Sequence, residues 1–445
     1  MPTPDRVAGN LAAAFLAGDW AEGPLVLHGA KAVGRRYRFL RPLARRLLLA
    51  FTAPPDVEPL TVAVRNDPGF QRAVTQHQLG VARVFVVSPA MKPPRFAVTG
   101  ELPQLATVAA VADWLELSPE RLDWLADLRG LNRRVPDALR PYTFRWVPKP
   151  KGGARLLEAP RPLLKRAQRH LLHGLLDRVP PHDAAHGFRP GRSVLTNAAG
   201  HCGRAVVLRF DLRDFFPSVS AGRVRAVFRC LGYPPEVARV LAALCTVRTP
   251  SSVWAARPNP SPNGADHGEW QRLNARHLPQ GASTSPALAN LAAHRLDCRL
   301  AGLAAALGAT YTRYADDLTL SGPAELRVGA ARLRRLVAAV AADEGFVLNV
   351  RKCRVEGRAG RQAVCGVVVN VRPNPRRADF DRLKATLTNC GRHGPAGQNR
   401  TGAADFRGHL QGRVAQMAHL NPARGRALWA LFDRIVWPPA DPPRQ

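Results

Sequence analysis

Long apolar runs, paired cysteines and zinc-spaced histidines are all missing from this 445-residue sequence. No run is long enough to span a membrane and no secretory signal pattern is present, so we expect no membrane partner. The seven cysteines are scattered and include no Cys-x-x-Cys pair, which argues against a disulfide-stapled domain and favours the reducing cytoplasm. A nucleotide P-loop and a dinucleotide glycine fingerprint are also lacking.

Acidic residues are scarce. The chain has 33 Asp and Glu against 65 Lys and Arg, which gives a net charge of +32. Only seven of the basic residues are Lys, and a GC-rich coding sequence would produce the same preference for Arg. Such coding does not explain the excess of basic over acidic side chains. The charge therefore predicts a polyanionic partner, nucleic acid above all, bound with strong salt dependence.

Three of the few acidic residues stand in settings suited to catalysis. Asp211 ends the apolar run 205–210, which is typical of a buried strand, and Asp316 and Asp317 lie inside a β-like stretch at 309–322 that ends in a turn signal. An Asp-Asp pair alone is most often a solvated turn. Three such carboxylates could instead hold two Mg²⁺ ions, because Mg²⁺ prefers carboxylate oxygens and two ions suit phosphoryl transfer.

Further segments surround these aspartates in the chain. Residues 278–291 contain a Pro-Gln-Gly loop at Gln280, a Ser/Thr cluster suited to a helix N-cap and a helical Ala/Leu run. Residues 144–160 predict two strands joined by a Gly-Gly hairpin. Residues 162–179 place Leu at helical spacing, with a basic opposite face.

Taken together, these motifs resemble the reverse transcriptase family over residues 142–437. The Asp211 segment is similar to the family's first palm motif, the Gln280 loop to its template and nucleotide loop, and Tyr-Ala-Asp-Asp at 314–317 to its signature hairpin. The resemblance implies an α+β right-hand polymerase. It assigns an N-terminal extension of unknown role to 1–104, fingers to 105–200, a palm with a split βαβ sheet to 201–370 and a helical thumb to 371–445.

The resemblance also implies roles for residues at the polymerase site. Asp211, Asp316 and Asp317 would bind the two Mg²⁺ ions, with the backbone carbonyl of Leu212 as a further ligand. Phe215 would stack under the incoming sugar and exclude a 2′-hydroxyl. Its neighbour Phe216 is expected in the core.

Basic residues before and after the palm would contact the substrates. Lys149 and Arg155 of the hairpin would meet the triphosphate, Lys as a point charge and Arg by its planar fork, close to Gln280. Lys165 and Arg169, on the basic helix face, would contact template phosphates, and such contacts position nucleic acid without reading its sequence. Lys352 matches the family pattern after the palm and would bind RNA.

Other residues resemble the retron type of bacterial reverse transcriptase. Asn197 and His201 match its Asn-Ala-x-x-His element and, by resemblance, would recognise the retron's own RNA; the alternative is a helix cap and an ordinary polar contact. Residues 364–366 resemble its Val-Thr-Gly element, with Cys365 in place of threonine. Ser283 stands where a proline is usual.

The resulting prediction is an RNA-directed DNA polymerase that copies part of a structured noncoding RNA into single-stranded DNA. Its expected partners are the noncoding RNA template, the DNA product, dNTPs and, by resemblance, an effector protein in antiphage defence. One alternative is a group II intron-derived or other phage-defence bacterial reverse transcriptase. Another is an RNA-binding scaffold without catalysis, against which the retained aspartates argue.

Residues 1–104 show no catalytic pattern. Residues 60–64 and 84–87 are rich in Val and predict strands. The basic segment 35–46 interleaves Arg with aromatic residues and could bind RNA, a lipid surface or a partner. A solvated helix with one packed apolar side is an equally good interpretation.

Overall fold

The computed structural model describes residues 3–86, 90–149, 152–258, 267–400 and 402–437. The chain forms two compact units, which divide between Ala90 and Met91. Residues 91–104 hydrogen-bond within the second unit, where the Lys92 and Thr99 amides donate to the Gly232 and Arg178 carbonyls at 2.9 and 2.7 Å. The first unit therefore ends earlier than position 104. No helix in the described ranges is long and apolar enough to cross a bilayer.

Helices form the first unit. They are α1 (Pro4–Leu16), α2 (Glu22–Val33), α3 (Leu40–Ala50), α4 (Val57–Arg65) and α5 (Pro68–His77). The strand predicted at 60–64 is wrong, because Leu60 and Val64 lie one turn apart on α4 and both are buried in the helical core. Of the strand predicted at 84–87, residues 84–86 form none, and Val87 lies outside the described residues.

The second unit mixes helices and strands, in agreement with the α+β prediction. Its helices are α6 (Val108–Trp114), α7 (Pro119–Ala126), α8 (Pro162–Gly174), α9 (Val194–Ala199), α10 (Ala221–Cys230), α11 (Pro235–Leu244), α12 (Ser251–Ala255), α13 (His267–Asn274), α14 (Ser285–Ala292), α15 (His294–Ala306), α16 (Glu325–Val328), α17 (Ala330–Asp343), α18 (Arg377–His393), α19 (Phe406–Leu420) and α20 (Pro422–Phe432). Its strands are β1 (Tyr142–Pro148), β2 (Ala154–Pro160), β3 (Val206–Asp211), β4 (Thr310–Tyr314), β5 (Asp317–Gly322), β6 (Arg354–Gly357), β7 (Ala363–Val364) and β8 (Val367–Val368).

The central sheet has the strand order β4-β5-β3-β6, and each neighbouring pair is antiparallel. Strand β3 is mostly apolar, and apolar side chains on both of its faces are buried. Leu208 and Phe210 belong to the main core, whereas Val207 packs with Val364 and Val367 of the small β7–β8 hairpin. Side chains that alternate along the strand thus reach two different clusters.

Two further elements frame this sheet. The β1–β2 hairpin forms as predicted, and the Lys149 amide donates to the Gly153 carbonyl at 2.9 Å beside its tip. Helices α18, α19 and α20 share a separate apolar cluster that includes Leu387, Val414 and Leu428. The helical C-terminal region expected from the sequence is present.

Candidate active site

The three predicted aspartates meet at one end of the central sheet. Asp211, the last residue of β3, lies opposite Asp317, the first residue of β5. Ala315 and Asp316 form the turn between β4 and β5, and Ala315 has a φ of +55°. The Leu212 amide donates to the Asp316 carbonyl at 2.9 Å. This tight turn brings adjacent carboxylates to the same site, which a straight strand would place on opposite faces.

Two carboxyl groups of the site, those of Asp316 and Asp317, have raised pKa values. Burial raises the pKa of Asp316, the nearby Asp317 and Asp211 carboxylates raise it further, and the result is about 6. Burial likewise raises the pKa of Asp317. The Lys352 ammonium donates to Asp211 Oδ2 at 2.8 Å. Lys352, which the sequence predicts to bind RNA, is thus paired with a carboxylate of the site. A site of this kind favours cations.

A cavity of about 470 Å³ opens beside the carboxylates. Several residues predicted to bind nucleotide or metal line it, namely Lys149, Arg155, Asp211, Leu212, Phe215, Gln280 and Asp316, and so does Lys352, which was predicted to bind RNA. The basic residues of α8, Lys165 and Arg169, are exposed and are not among the described residues lining the cavity. The structure therefore joins the hairpin, the Gln280 loop and the aspartates around one space.

A buried polar group fixes the Gln280 loop to the hairpin. The Glu158 amide donates to the Gln280 carbonyl at 2.9 Å, and the Glu158 carboxylate contacts His277 Nε2 at 3.0 Å and the Thr249 hydroxyl at 2.7 Å. A Cβ at Gly281, where φ is +138°, would come within 3.0 Å of the Glu158 carbonyl oxygen. Only glycine suits this close approach.

The two adjacent phenylalanines exchange their expected places. Phe215 is 4% exposed, and its ring stacks on Phe346 with centroids 5.6 Å apart. Phe216 is half-buried, lines the same cavity and lies 6.0 Å from the exposed ring of Phe188. The sugar-contacting role predicted for Phe215 does not fit this packing. Phe216 has the accessible ring.

Sequence reasoning missed a buried network behind the turn between β4 and β5. Arg313 is 0% exposed, donates to both oxygens of Asp297 at 2.8 and 2.6 Å, and also reaches the Asn290 side chain at 2.9 Å and the Ala315 carbonyl at 3.2 Å. The turn residue is thus held by a guanidinium whose charge is already paired. No local pattern signals this network, because its members lie on α14, α15 and β4.

Asn197 and His201 are buried polar residues without access to RNA. Both are 0% exposed, and the two ring nitrogens of His201 lie 2.7 Å from the Ser321 and Thr312 hydroxyls. The structure thus favours the alternative of ordinary polar contacts over direct RNA recognition. Burial lowers the pKa of His201 to about 4, with smaller contributions from neighbouring positive charges.

Cys365, the departure from the Val-Thr-Gly element, links this region to the site. The Asn197 amide donates to Cys365 Sγ at 3.3 Å, and the Cys365 thiol donates to Asp317 Oδ2 at 3.8 Å. Burial and the Asp317 charge raise the pKa of the Cys365 thiol to about 12, so it remains a donor. Of the residues that resemble retron elements, Cys365 therefore contacts the Asp317 carboxylate directly, and Asn197 reaches it only through Cys365.

Comparisons with known proteins agree with this geometry. The family Reverse transcriptase (RNA-dependent DNA polymerase) matches residues 147–365, which contain the three aspartates and Gln280. Membership of this family implies a right-hand polymerase fold. The chain belongs to the reverse transcriptases, and within them to the type found in bacterial retrons.

Three relatives illustrate the similarity. Retron Mx65 reverse transcriptase of Myxococcus xanthus is 43% identical over 295 residues, which are 66% of this chain and 65% of that protein. Retron Mx162 reverse transcriptase of the same organism is 36% identical over 354 residues, covering 75% of this chain and 68% of that protein. Retron Ec86 reverse transcriptase of Escherichia coli is 34% identical over 221 residues, covering 50% of this chain and 60% of that protein. The matched part is thus about two-thirds of each relative.

Proposed function

We propose that this protein is an RNA-directed DNA polymerase that copies part of a structured noncoding RNA into single-stranded DNA. The observation that carries the proposal is the meeting of Asp211, Asp316 and Asp317 at one end of the central sheet, where Asp211 and Asp316 line a cavity together with the hairpin and the Gln280 loop. In this proposal residues 105–200 are the fingers, 201–370 the palm and 371–445 the thumb. A primer hydroxyl attacks the α-phosphate of a dNTP and pyrophosphate leaves.

The donor set suits two Mg²⁺ ions. Within the described residues, no three Asp, Glu, His or Cys side chains already stand as a closed ligand set. The site nevertheless offers only hard oxygen donors, from Asp211, Asp316, Asp317 and the Leu212 carbonyl, and burial together with the neighbouring carboxylates raises the pKa of Asp316. When bound, the ions supply charge neutralisation and alignment of the reacting oxygens.

Residues around the cavity have distinct tasks in this proposal. Lys149 and Arg155, exposed on the hairpin, bind the triphosphate, and Gln280 contacts the nucleotide from its anchored loop. Phe216 lies under the sugar and excludes a 2′-hydroxyl. Lys352 supplies positive charge at Asp211.

The RNA partner is proposed from exposed charge and from the relatives. Lys165 and Arg169 on α8 contact template phosphates, whereas Asn197 and His201 act by positioning the strands behind Asp317. The relatives are named as retron reverse transcriptases, which supports a dedicated noncoding RNA as the template. Priming from one of its 2′-hydroxyls, an effector protein and a part in antiphage defence complete the proposal by resemblance to the retron type. Free thiols at all seven cysteines accord with a cytoplasmic setting.

Primer extension on an RNA template with Mg²⁺ and dNTPs tests the activity. The Asp316→Asn/Asp317→Asn variant should lose DNA synthesis by at least about 10³-fold, since charge stabilisation in the transition state is the main contribution of such sites. Asp343→Asn is the matched control, because Asp343 is an exposed carboxylate of the same unit, paired with Arg299. Equal synthesis by wild type and the double variant would refute the assignment of the aspartates.

A further inference from the structure

The first unit contains a basic cleft that the polymerase site does not explain. It has a volume of about 700 Å³ and lies between the turn that precedes α3 and one face of α5. The side chains that define it here are all exposed or half-buried: Arg35, Arg36, Tyr37, Arg38, Arg72 and His77. We refer to this set as the Tyr37 cleft.

Positive charge in the Tyr37 cleft is not offset by carboxylates. Among the described lining residues only Arg46 has an acidic partner, Asp67, at 2.7 Å, and that pair also caps α5. Glu22 pairs instead with Arg41 and Arg45, which lie outside the cleft. None of the described lining residues is acidic. The cleft therefore concentrates four arginines without a counter-charge, and such a concavity attracts polyanions.

Planar groups inside the cleft are arranged for stacking. The Arg35 guanidinium carbon lies 4.4 Å from the centroid of the Tyr37 ring, and the His77 ring lies 5.5 Å from it at an interplanar angle of 34°. Tyr37 is half-buried, so one part of the ring is fixed by packing and another part remains accessible. Aromatic and guanidinium planes beside phosphate-binding arginines are the combination that binds unstacked bases of single-stranded RNA.

Among the described lining residues of the cleft, Pro42 is the only exposed aliphatic side chain. Phe39 and Ala73 contribute to its wall but are buried in the helical core, and the exposed apolar side chains of this unit, such as Leu27 and Leu49, lie elsewhere. A lipid surface or a folded protein partner would require exposed apolar side chains at the centre of the contact. The lining of the Tyr37 cleft is polar and cationic, which fits a nucleic-acid strand better.

We propose that the Tyr37 cleft binds a single-stranded segment of RNA, as a second RNA site separate from the polymerase cavity. Arg35, Arg38 and Arg72 would contact phosphates and Tyr37 would stack on a base. That the strand is RNA rests on the proposed function, in which a structured RNA is the resident partner. The proposal gives residues 1–90 a role in holding that RNA.

Photocrosslinking of the full-length protein tests the proposal. The probe is a single-stranded oligouridylate of about 12 nucleotides carrying 4-thiouridine, and crosslinked peptides are identified by mass spectrometry. We compare Arg35→Gln/Arg38→Gln/Arg72→Gln with the matched control Arg41→Gln/Arg45→Gln/Arg65→Gln. The control removes the same charge from the same unit at arginines that are each paired with an acidic residue.

Crosslinks to residues 35–38 and 72–77 are expected in wild type and in the control, with at least tenfold less in the cleft variant. The slope of log affinity against log salt should fall by about 2 when three phosphate contacts are lost. Tyr37→Leu should reduce the crosslink at least about fivefold through lost stacking. Equal yields from the cleft variant and the control would overturn the proposal.

Two further arms decide the nature of the ligand. An oligothymidylate of the same length that crosslinks as well as the RNA would overturn the assignment to RNA. Binding to phosphatidylserine vesicles that the cleft variant loses, with RNA crosslinking unchanged, would assign the cleft to lipid.

Primer extension on a generic primed RNA should be the same in all variants. If the wild-type protein showed no primer extension, the proposed polymerase activity would be refuted. The crosslinking result would then still decide whether the Tyr37 cleft binds RNA.

Discussion

Single residues show how far sequence patterns can assign roles. Phe215 and Phe216 are adjacent, and both are aromatic, so position relative to Asp211 alone could not tell which ring faces the cavity. The structure places Phe215 against Phe346 in the core and leaves Phe216 accessible beside Phe188. The deciding contacts come from segments distant in sequence.

The two phenylalanines should respond differently to truncation. Phe216→Ala should reduce discrimination against ribonucleotides by at least about tenfold, because the bulk under the sugar is removed. Phe215→Ala should instead lower the free energy of unfolding by about 3–5 kcal/mol through a core cavity. Single-nucleotide incorporation and urea denaturation measure the two effects. Relaxed sugar selectivity in Phe215→Ala alone would restore the original assignment.

Arg313 should be sensitive even to a conservative change. Arg313→Lys keeps the charge but loses the planar fork that contacts both Asp297 oxygens and the Ala315 carbonyl, so the unfolding free energy should fall by about 3 kcal/mol. Primer extension should fall with it, because the turn between β4 and β5 loses its support.

The control for Arg313 is Arg299→Lys. Arg299 is 39% exposed and pairs with Asp343 and Glu344, so its replacement should lower the free energy of unfolding far less than that of Arg313. Similar losses of unfolding free energy in the two variants would show that burial of the Arg313–Asp297 pair does not account for its contribution to stability.

At the scale of elements, local patterns were reliable where they were long or flanked by turn residues. The β1–β2 hairpin, the apolar strand β3 and the β4–β5 hairpin all formed as predicted. The prediction failed at 60–64, where a Val-rich stretch became α4 because the surrounding helices bury its i, i+4 face. Tertiary packing overrode β propensity there.

The contact between α9, β4 and β5 was also beyond local patterns. The spacing of Asn197 and His201 predicted a pair, but their partners are more than 100 residues away: Cys365 for Asn197, and Thr312 and Ser321 for His201. A polar residue that is buried by distant strands carries the same sequence signal as one that faces a ligand.

His201 should make stability depend on pH. Its pKa is lowered to about 4 in the folded protein, whereas an unfolded histidine titrates near 6.5. The contribution of His201 to the free energy of unfolding is therefore fully present above about pH 6.5. It is lost as the pH falls toward 4, because only the unfolded chain then takes up the proton. Between pH 8 and pH 5 this loss amounts to about 2 kcal/mol.

His201→Gln should remove that part of the acid sensitivity. Urea denaturation at pH 8 and pH 5 should show a smaller difference in the variant than in wild type, while His186, whose pKa burial also lowers to about 4, remains in both proteins. An unchanged difference between the two pH values would show that His201 is not held neutral by the fold.

For the whole molecule, composition indicated the class of partner but did not reveal how the chain divides into units. A net charge of +32 indicates nucleic acid, and both the Tyr37 cleft and the exposed face of α8 present arginine or lysine at the surface. The division after Ala90 could not be read from composition, because residues 91–104 join the second unit through backbone hydrogen bonds to distant segments, such as that from the Lys92 amide to the Gly232 carbonyl. Buried ion pairs such as Arg313 with Asp297 were likewise invisible, since each partner alone looks like surface charge.

The most direct measurement is the sequence of the nucleic acid that copurifies with the protein expressed from its own locus, after separate RNase and DNase treatment. We expect one short DNA species joined to one RNA from the wild-type protein, and the RNA alone from Asp316→Asn/Asp317→Asn. Recovery of the same DNA from the double variant, or of RNA without any DNA from wild type, would contradict this expectation.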